Sequence, residues 1–311
     1  MASFESSTVV GLVVAFGAVA AVVVSMKCNR FESMSATLRN SIIAASTGSD
    51  GLRHDRDMPD LQALKEQLPP IVFKYLTMTL QRSNVRVTRA TIKQTGLFLM
   101  KPDSAGAADP VSSAWAPFKA VQRFSVPPAS PIGMLWESRI AMGRKWPLSL
   151  LSVRVADGYV NGRGSMRGRI GPFPIMNIVG TKEITEGSLS RYLAESPWFP
   201  HALLPDPQYL TWAPLPDRDG CQRARATLSD GGSSVSADFS FAEDGEMVRG
   251  DAQRWKQVAG GFELQPWVVR FGGYEEIEGC RIPTTGSAGW LLPDGSEQQY
   301  CILTLSDVSY S

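Results

Sequence analysis

Histidine and cysteine are scarce in this sequence. The chain of 311 residues has two histidines and four cysteines, and no two cysteines have Cys-x-x-Cys spacing. A Cys/His zinc site needs about four such ligands close together, so the sequence predicts no metal site, and it implies no other cofactor. Cys280 and Cys301 are predicted on neighbouring strands, where they either form a disulfide in an oxidising compartment or stay as two half-buried thiols.

An excess of charge of one sign is also missing. Lysine and arginine number 31 against 30 aspartates and glutamates, a net charge of +1, whereas proteins that bind nucleic acid usually carry a large basic excess. Neither Gly-x-Ser-x-Gly nor Gly-x-Gly-x-x-Gly occurs. Their absence argues against a Ser-His-Asp hydrolase of that kind and against a dinucleotide-binding site.

One long apolar run is present, close to the start of the sequence. Val9–Met26 is 18 residues long, or roughly 27 Å as a helix, which is the short end of a membrane span. No lysine or arginine precedes it, whereas a cleaved signal peptide begins with a basic region, so a retained single-pass anchor is favoured over a signal. Lys27, Arg30 and Arg39 follow the run and weakly favour a cytoplasmic globular domain.

Composition divides the chain into four parts. We expect an N-terminal tail at 1–8, a transmembrane anchor at 9–26, a polar flexible tether at 27–58 and a single β-rich domain at 59–311. Two short helices are predicted at the start of that domain, the second beginning at Pro70.

From Val85 onward, apolar residues alternate with polar ones and turn signals recur at short intervals. This pattern predicts an α+β, mainly β fold with one antiparallel sheet of about 10–12 strands, too many to stay flat. The sheet should curl into a half-barrel or barrel with a few short helices on its concave face.

The segment Thr185–Trp212 is the one predicted helix inside this β-rich region. Thr185 is the predicted N-cap and Pro197 the predicted stop. Arg191 and Glu195 are four residues apart and so share a helix face, as either a surface ion pair or a functional pair. The segment supplies the candidate ligand-binding residues Arg191, Tyr192, Glu195, Trp198, Phe199, His201 and Leu203.

Basic residues cluster between Arg139 and Arg169, interleaved with glycine. Such a surface either faces phospholipid headgroups or is a solvated outer face of two strands whose charges discourage aggregation. The candidate phospholipid-facing residues are Arg144, Lys145, Arg163, Arg167 and Arg169.

Several motifs carry a resemblance to a known family. Trp115-x-Pro-Phe, Asp157-Gly-Tyr and, above all, Arg191-Tyr-Leu-Ala-Glu-x-x-Trp-x-Pro occur in order within Pro69–Pro283. The sequence resembles an uncharacterised family of membrane-anchored, mostly bacterial proteins defined as a domain of unknown function. The resemblance implies a bacterial or organellar membrane setting and one β-rich domain, without an activity. The expected architecture is also similar to that of LolA-like lipoprotein carriers, which hold acyl chains.

These observations lead to three functional hypotheses. The favoured one is non-catalytic binding of a lipid or other hydrophobic ligand in the mouth of the curved sheet of a membrane-anchored protein. The first alternative is an enzyme that uses Arg191, Glu195 and His201 on a lipid-like substrate, and polar groups converging on a cavity would favour it. The second is a structural or assembly module for another membrane protein, which an exposed apolar patch would favour.

Overall fold

The computed structural model describes residues 31–42, 58–83, 86–100, 108–110, 112, 114–128, 131–143 and 151–311. Its dominant feature is a single sheet of 13 strands. In chain order the strands are β1 (Arg89–Leu99), β2 (Trp115–Ser125), β3 (Gly133–Ala141), β4 (Ser152–Val160), β5 (Arg163–Ile170), β6 (Phe173–Val179), β7 (Leu210–Arg218), β8 (Cys221–Asp230), β9 (Ser233–Phe241), β10 (Met247–Val258), β11 (Gly261–Ile277), β12 (Cys280–Leu291) and β13 (Glu297–Tyr310).

Across the sheet the strands follow the order β6-β5-β4-β3-β2-β1-β13-β12-β11-β10-β9-β8-β7. Every neighbouring pair is antiparallel, so the predicted mainly β, antiparallel fold is confirmed. β6 and β7 are the two edges. The sheet is therefore not closed into a barrel.

The two edge strands are the ones that the sequence pattern missed. β6 contains Pro174, and β7 contains Pro214 and Pro216. Proline cannot donate to a strand ladder, so a proline argues against a central strand but is tolerated at an edge. Proline is not confined to the edges, since the central strands β2, β11 and β12 each contain one. The prediction of about 10–12 strands was too low, because the sheet has 13.

One long connection joins the two edges. The helix α3 (Lys182–Glu195) follows β6, and 3-10 turns at Ser196–Trp198 and Pro200–Leu203 lead towards β7. Because its two ends are fixed at opposite edges of a curved sheet, the connection crosses the concave face. α3 contacts strands in both halves of the sheet, namely β4 and β5 on the side that ends at β6, and β9 and β10 on the side that ends at β7. These two halves are called the wings of the sheet.

α3 begins earlier than predicted. Its N-cap is Thr181, whose hydroxyl accepts a hydrogen bond from the backbone N–H of Ile184 at 3.3 Å. The predicted cap, Thr185, lies one turn inside the helix, and its hydroxyl accepts from the N–H of Gly164 in β5 at 3.1 Å. The cap prediction was wrong because the oxygen of Thr185 joins the helix to the sheet.

Two further helical segments cover the same face. Leu61–Gln67 is a 3-10 helix, and α2 spans Pro70–Thr79 as predicted from its proline start. Val72, Tyr75 and Leu76 of α2 are buried in the main core, which lies between the sheet, α2 and the α3 connection.

The predicted tether contains a helix. Residues 31–42 are helical and are named α1; Leu38 and Ile42 of this helix pack against Leu135 on the convex face of the sheet. The prediction of a flexible tether over 27–58 was wrong for this part. Its apolar residues have helical spacing, but the polar residues around them hid the pattern.

The predicted anchor, Val9–Met26, lies outside the described residues, as do the tail at 1–8 and the charged residues Lys27 and Arg30. Within the described ranges, no helix combines the length and the apolar content that crossing a membrane requires.

The two wings of the sheet meet at one end. Gly162 in the β4–β5 turn lies so close to Gly231 in the β8–β9 turn that a Cβ on Gly162 would come within 2.8 Å of the Gly231 Cα. Both glycines have positive φ values, 71° and 56°, which other residues rarely adopt. Nearby, Tyr159 donates a hydrogen bond to the carboxylate of Asp230 at 2.6 Å. The curved sheet is therefore a trough with one end closed.

Candidate functional site

A cavity of about 360 Å³ lies in the concave face of the sheet beside the C-terminal part of α3. Most of the side chains around it are apolar, contributed by strands of both wings. Its aromatic lining residues are Phe98, Trp136, Trp198, Trp267, Phe271 and Tyr300. Their inward placement follows from the alternation of side chains along each strand.

Charged side chains form one wall of this cavity. Arg191 donates from Nη1 to Oδ2 of Asp157 at 2.6 Å and from Nε to Oε1 of Glu195 at 2.9 Å. The side chains of Arg191 and Glu195 are only 13% and 12% exposed, and the Arg191 guanidinium lies over the ring of Trp136, 5.2 Å from its centroid. The predicted pair is therefore buried, and the surface alternative for it was wrong.

Hydrogen bonds continue from both carboxylates. Ser188 donates to Oδ1 of Asp157 at 3.1 Å, and the amide of Gln122 donates to Oε2 of Glu195. Gln94 in turn donates to Gln122 at 2.8 Å, and the indole N–H of Trp136 donates to Gln94 at 2.9 Å.

This network determines the charge at the wall. Burial by itself would lower the pKa of Arg191, but the charges of Glu195 and Asp157 outweigh burial and raise it, so the guanidinium stays protonated. Burial raises the pKa of Glu195, and the attraction of Arg191 opposes that rise without cancelling it. The wall is polar but largely neutralised within itself.

The predicted ligand-binding residues separate into two groups. Arg191, Glu195 and Trp198 line the cavity. By contrast, Tyr192 and Phe199 belong to the main core, where both rings pack on Phe124. Leu203 is also buried in that core. These three residues fill the interior and do not line the cavity.

His201 lies elsewhere. Its side chain is buried, and its Nε2 is 2.9 Å from the hydroxyl of Ser83, whereas the cavity lining includes neither residue. The structure therefore brings Arg191 and Glu195 together but leaves His201 out of the candidate catalytic group.

Trp198 has an unusual environment. Its side chain is 3% exposed and it lines the cavity. Its indole N–H has no hydrogen-bond partner among the residues that the structure describes. Buried donors of this kind normally find an acceptor, so the wall of the cavity at Trp198 is incompletely satisfied.

Sequence reasoning missed three members of the wall: Gln94, Gln122 and Asp157. Each occupies an inward position of a strand whose other inward residues are apolar, as Gln122 does between Ala120 and Phe124. A polar residue at such a position is a detectable signal, because a buried polar side chain needs a partner.

The predicted basic surface is only partly exposed. Arg163 is exposed, Arg167 and Arg169 are buried, and Arg144 and Lys145 lie outside the described residues. Arg169 is covered by α1, where its guanidinium bonds Glu32 at 2.6 Å.

Other basic residues lie beside α1 on the convex face. A groove of about 610 Å³ follows the helix there. Glu32 and Glu137 contribute carboxylates to it. Glu137 forms ion pairs with Arg39 and Arg123 at 3.2 and 3.0 Å. Its basic lining residues are Lys93, Lys119, Arg139 and Arg154.

The cysteines do not form the disulfide that the sequence left open. Cys280 and Cys301 are both free and buried, and Cys301 lines the cavity. Burial raises the pKa of each thiol to about 12. Within the described ranges, no group of three or more His, Cys, Asp or Glu side chains is arranged to hold a metal ion.

Comparisons with known proteins complete the description. A family model, described as a family of unknown function (DUF6544), matches residues 60–301. The crystal structure of a LolA superfamily protein from Nitrosomonas europaea is similar, with 12% sequence identity and a TM-score of 0.40, over 78% of this chain and 92% of that one. No curated protein matches the chain.

Proposed function

The chain belongs to the DUF6544 family, whose function is unknown, and we propose that it binds a lipid or other hydrophobic ligand, without catalysis, beside a membrane. The observation that carries this proposal is the cavity in the concave face. Its volume of about 360 Å³ lies within the range of about 300–1,000 Å³ that is usual for small-molecule sites. Such sites combine an apolar lining with a few polar groups, as this cavity does.

The unpartnered indole of Trp198 supports the same proposal. A closed core would either satisfy this N–H or replace the side chain with an apolar one. The alkyl part of a ligand in the cavity covers the ring of Trp198 together with the other aromatic lining residues.

Catalysis is less well supported. Asp157 and Glu195 do converge on the cavity, which is the arrangement expected of an enzyme. However, both carboxylates accept hydrogen bonds from Arg191, so neither is placed as a free general base. His201, the third residue of the enzyme hypothesis, bonds Ser83 outside the cavity lining.

Native mass spectrometry of the full-length chain, released from a removable detergent, tests the binding proposal. We expect a bound mass in addition to that of the chain. Ala288 lines the cavity, so Ala288→Phe should fill the space and remove the bound mass. Leu264→Phe is the matched control, because Leu264 is 52% exposed. A chain without bound mass that takes up no fatty acid or fatty alcohol on titration would refute the proposal.

We further propose that the convex face beside α1 meets the membrane surface. The described part of α1, residues 31–42, follows the predicted anchor at 9–26 closely in the sequence. The groove beside it presents four basic side chains to solvent. Basic groups near an anchor are attracted to anionic headgroups. In this proposal Arg163 also faces phospholipid, and the weak charge bias at Lys27, Arg30 and Arg39 favours the cytoplasmic side.

Assembly with another membrane protein is a second candidate, supported by the edge strand β6. Phe173, Ile175 and Val179 on this strand are 64%, 53% and 43% exposed, and an edge strand has unpaired backbone groups that can add a partner strand. Phe173→Lys should then release the chain from a larger complex in detergent extracts, as size-exclusion chromatography would detect. Leu264→Lys, at another exposed position, should not. Identical elution of wild type and Phe173→Lys would remove this candidate.

A further inference from the structure

Three arginines border the cavity, and two of them have carboxylate partners. Arg270 lies between the inward-facing Val269 and Phe271 on β11, so its side chain is on the opposite face of the sheet. Arg191 bonds Asp157 and Glu195. Arg270 bonds Glu297 with distances of 2.6 and 2.9 Å. The positive charge of each of these two is therefore compensated within the protein.

Arg254 is different. Its Nε donates to the backbone carbonyl of Gly187 in α3 at 3.2 Å, and its guanidinium lies over the ring of Trp267, 5.0 Å from the centroid. Trp267 is itself fixed by a hydrogen bond from its indole N–H to the hydroxyl of Tyr300 at 2.9 Å. These contacts orient the guanidinium and leave its two terminal nitrogens without a protein acceptor among the described residues.

The position of Arg254 has an energetic consequence. A half-buried cation in an apolar cavity is poorly solvated and gains strongly from an anionic partner. Within the described ranges, no carboxylate lies within ion-pair distance of Arg254, although Arg191 in the same cavity has two such partners. The protein thus provides an oriented cation at the cavity without its counter-charge.

We propose that Arg254 binds the anionic oxygen head group, a carboxylate or a phosphate monoester, of a single-chain amphiphile. This inference rests on the proposed function, since the alkyl chain occupies the apolar part of the cavity. The terminal nitrogens of Arg254 donate to the head group in the paired geometry that guanidinium forms with carboxylate and phosphate. The wall formed by Arg191, Asp157 and Glu195 keeps its internal hydrogen bonds.

Titration of the full-length chain with three probes of the same chain length tests this inference. Hexadecanoate and hexadecyl phosphate carry the two kinds of anionic head, and hexadecanol carries none. Bound and free protein are counted by native mass spectrometry. We expect at least one anionic probe to bind roughly tenfold or more tightly than hexadecanol, which is the usual effect of a charge-assisted hydrogen bond. The stronger anionic probe identifies the head group.

Two variants separate Arg254 from the general charge of the cavity. Arg254→Gln should abolish the preference, so that the ratio of the affinities for the anionic probe and for hexadecanol falls to about one. Arg270→Gln is the control for loss of one positive charge nearby, because Arg270 is paired with Glu297 on the opposite face of the same sheet, and it should keep the preference. Arg254→Lys retains the charge and should keep part of the preference.

The possible failures are distinguishable. If hexadecanol binds the wild-type chain as tightly as both anionic probes, the inference about Arg254 is wrong while hydrophobic binding stands. The inference about Arg254 is also wrong if Arg254→Gln and Arg270→Gln reduce the preference for the anionic probe equally. If none of the three probes binds, the proposed function and this inference fail together. The comparison of probes on the wild-type chain decides the matter even if a variant does not fold.

Discussion

Nη1 of Arg191 lies 2.6 Å from Oδ2 of Asp157, and only 13% and 4% of these two side chains are exposed. The contact joins α3 to β4, so it fixes the connecting helix against the sheet at the wall of the cavity. A buried pair of this kind contributes little net stability compared with apolar residues, but removal of one partner is costly because the other charge is left buried.

Removal of the guanidinium should therefore destabilise the protein strongly. Arg191→Met leaves two buried carboxylates without a counter-charge and should lower the free energy of unfolding by roughly 3–5 kcal/mol at neutral pH. Urea unfolding followed by tryptophan fluorescence measures this. Arg225→Met is the control: Arg225 pairs with Asp238 but is 49% exposed, and an exposed pair contributes about 0–1 kcal/mol. Equal losses in both variants would show that the Arg191 pair is not effectively buried.

Glu195 should make the stability depend on pH. Because its pKa is raised in the folded protein, the folded state holds the proton more tightly than the unfolded chain. Its contribution to stability is thus fully present below the unfolded pKa, about 4.3, and is lost as the pH rises through the raised value. The free energy of unfolding should fall more between about pH 4 and 7 for wild type than for Glu195→Gln. Parallel pH curves would contradict this prediction.

The buried thiols should be unreactive. Cys280 and Cys301 have pKa values raised by burial to about 12, and only the thiolate is a good nucleophile. At about pH 8, iodoacetamide should leave the thiols of Cys280 and Cys301 unmodified in the folded chain. It should alkylate Cys221, which is partly exposed. Peptide mass spectrometry after a timed reaction measures each site. Alkylation of Cys301 at the rate of Cys221 would mean that reagent and base reach the cavity freely.

The convex face should bind anionic membranes without the predicted anchor. A chain of residues 31–311 lacks the predicted anchor but keeps the described part of α1. It should sediment with vesicles that contain phosphatidylserine but not with vesicles of phosphatidylcholine alone. Substitution of Lys119 and Arg139 by glutamate should lower the bound fraction, as should added salt, because screening weakens surface attraction. Substitution of Arg218 and Arg225 by glutamate, on the other wing, is the control. Equal binding to both kinds of vesicle would exclude a headgroup-charge mechanism.

Much of the fold can be predicted from the sequence because alternation and turn residues are local. The strand around Phe124 and the helix around Arg191 were both anticipated from such patterns. The edge strands β6 and β7 were not, since their exposed apolar residues, such as Phe173 and Ile175, do not give the alternating pattern of a strand with one buried face.

The site was harder to predict because it depends on contacts between distant residues. Arg191 and Glu195 are four residues apart and could be paired from the helix period alone. Their partners Asp157 and Gln122 come from β4 and β2, and only the curvature of the sheet brings them to the helix. Tyr192 and Phe199 were predicted to bind a ligand, but no local sequence feature distinguishes an aromatic residue of the core from one beside a cavity.

The position of β13 between β1 and β12 affects how the chain assembles. β1 to β6 and β7 to β12 are each consecutive along the sequence, so the sheet consists of two meanders that only the strand synthesised last of the thirteen joins. Until that strand leaves the ribosome, β1 and β12 both have unpaired backbone groups, which are prone to mispairing. Completion of the sheet therefore waits until β13 has left the ribosome, and both meanders need protection in the interval.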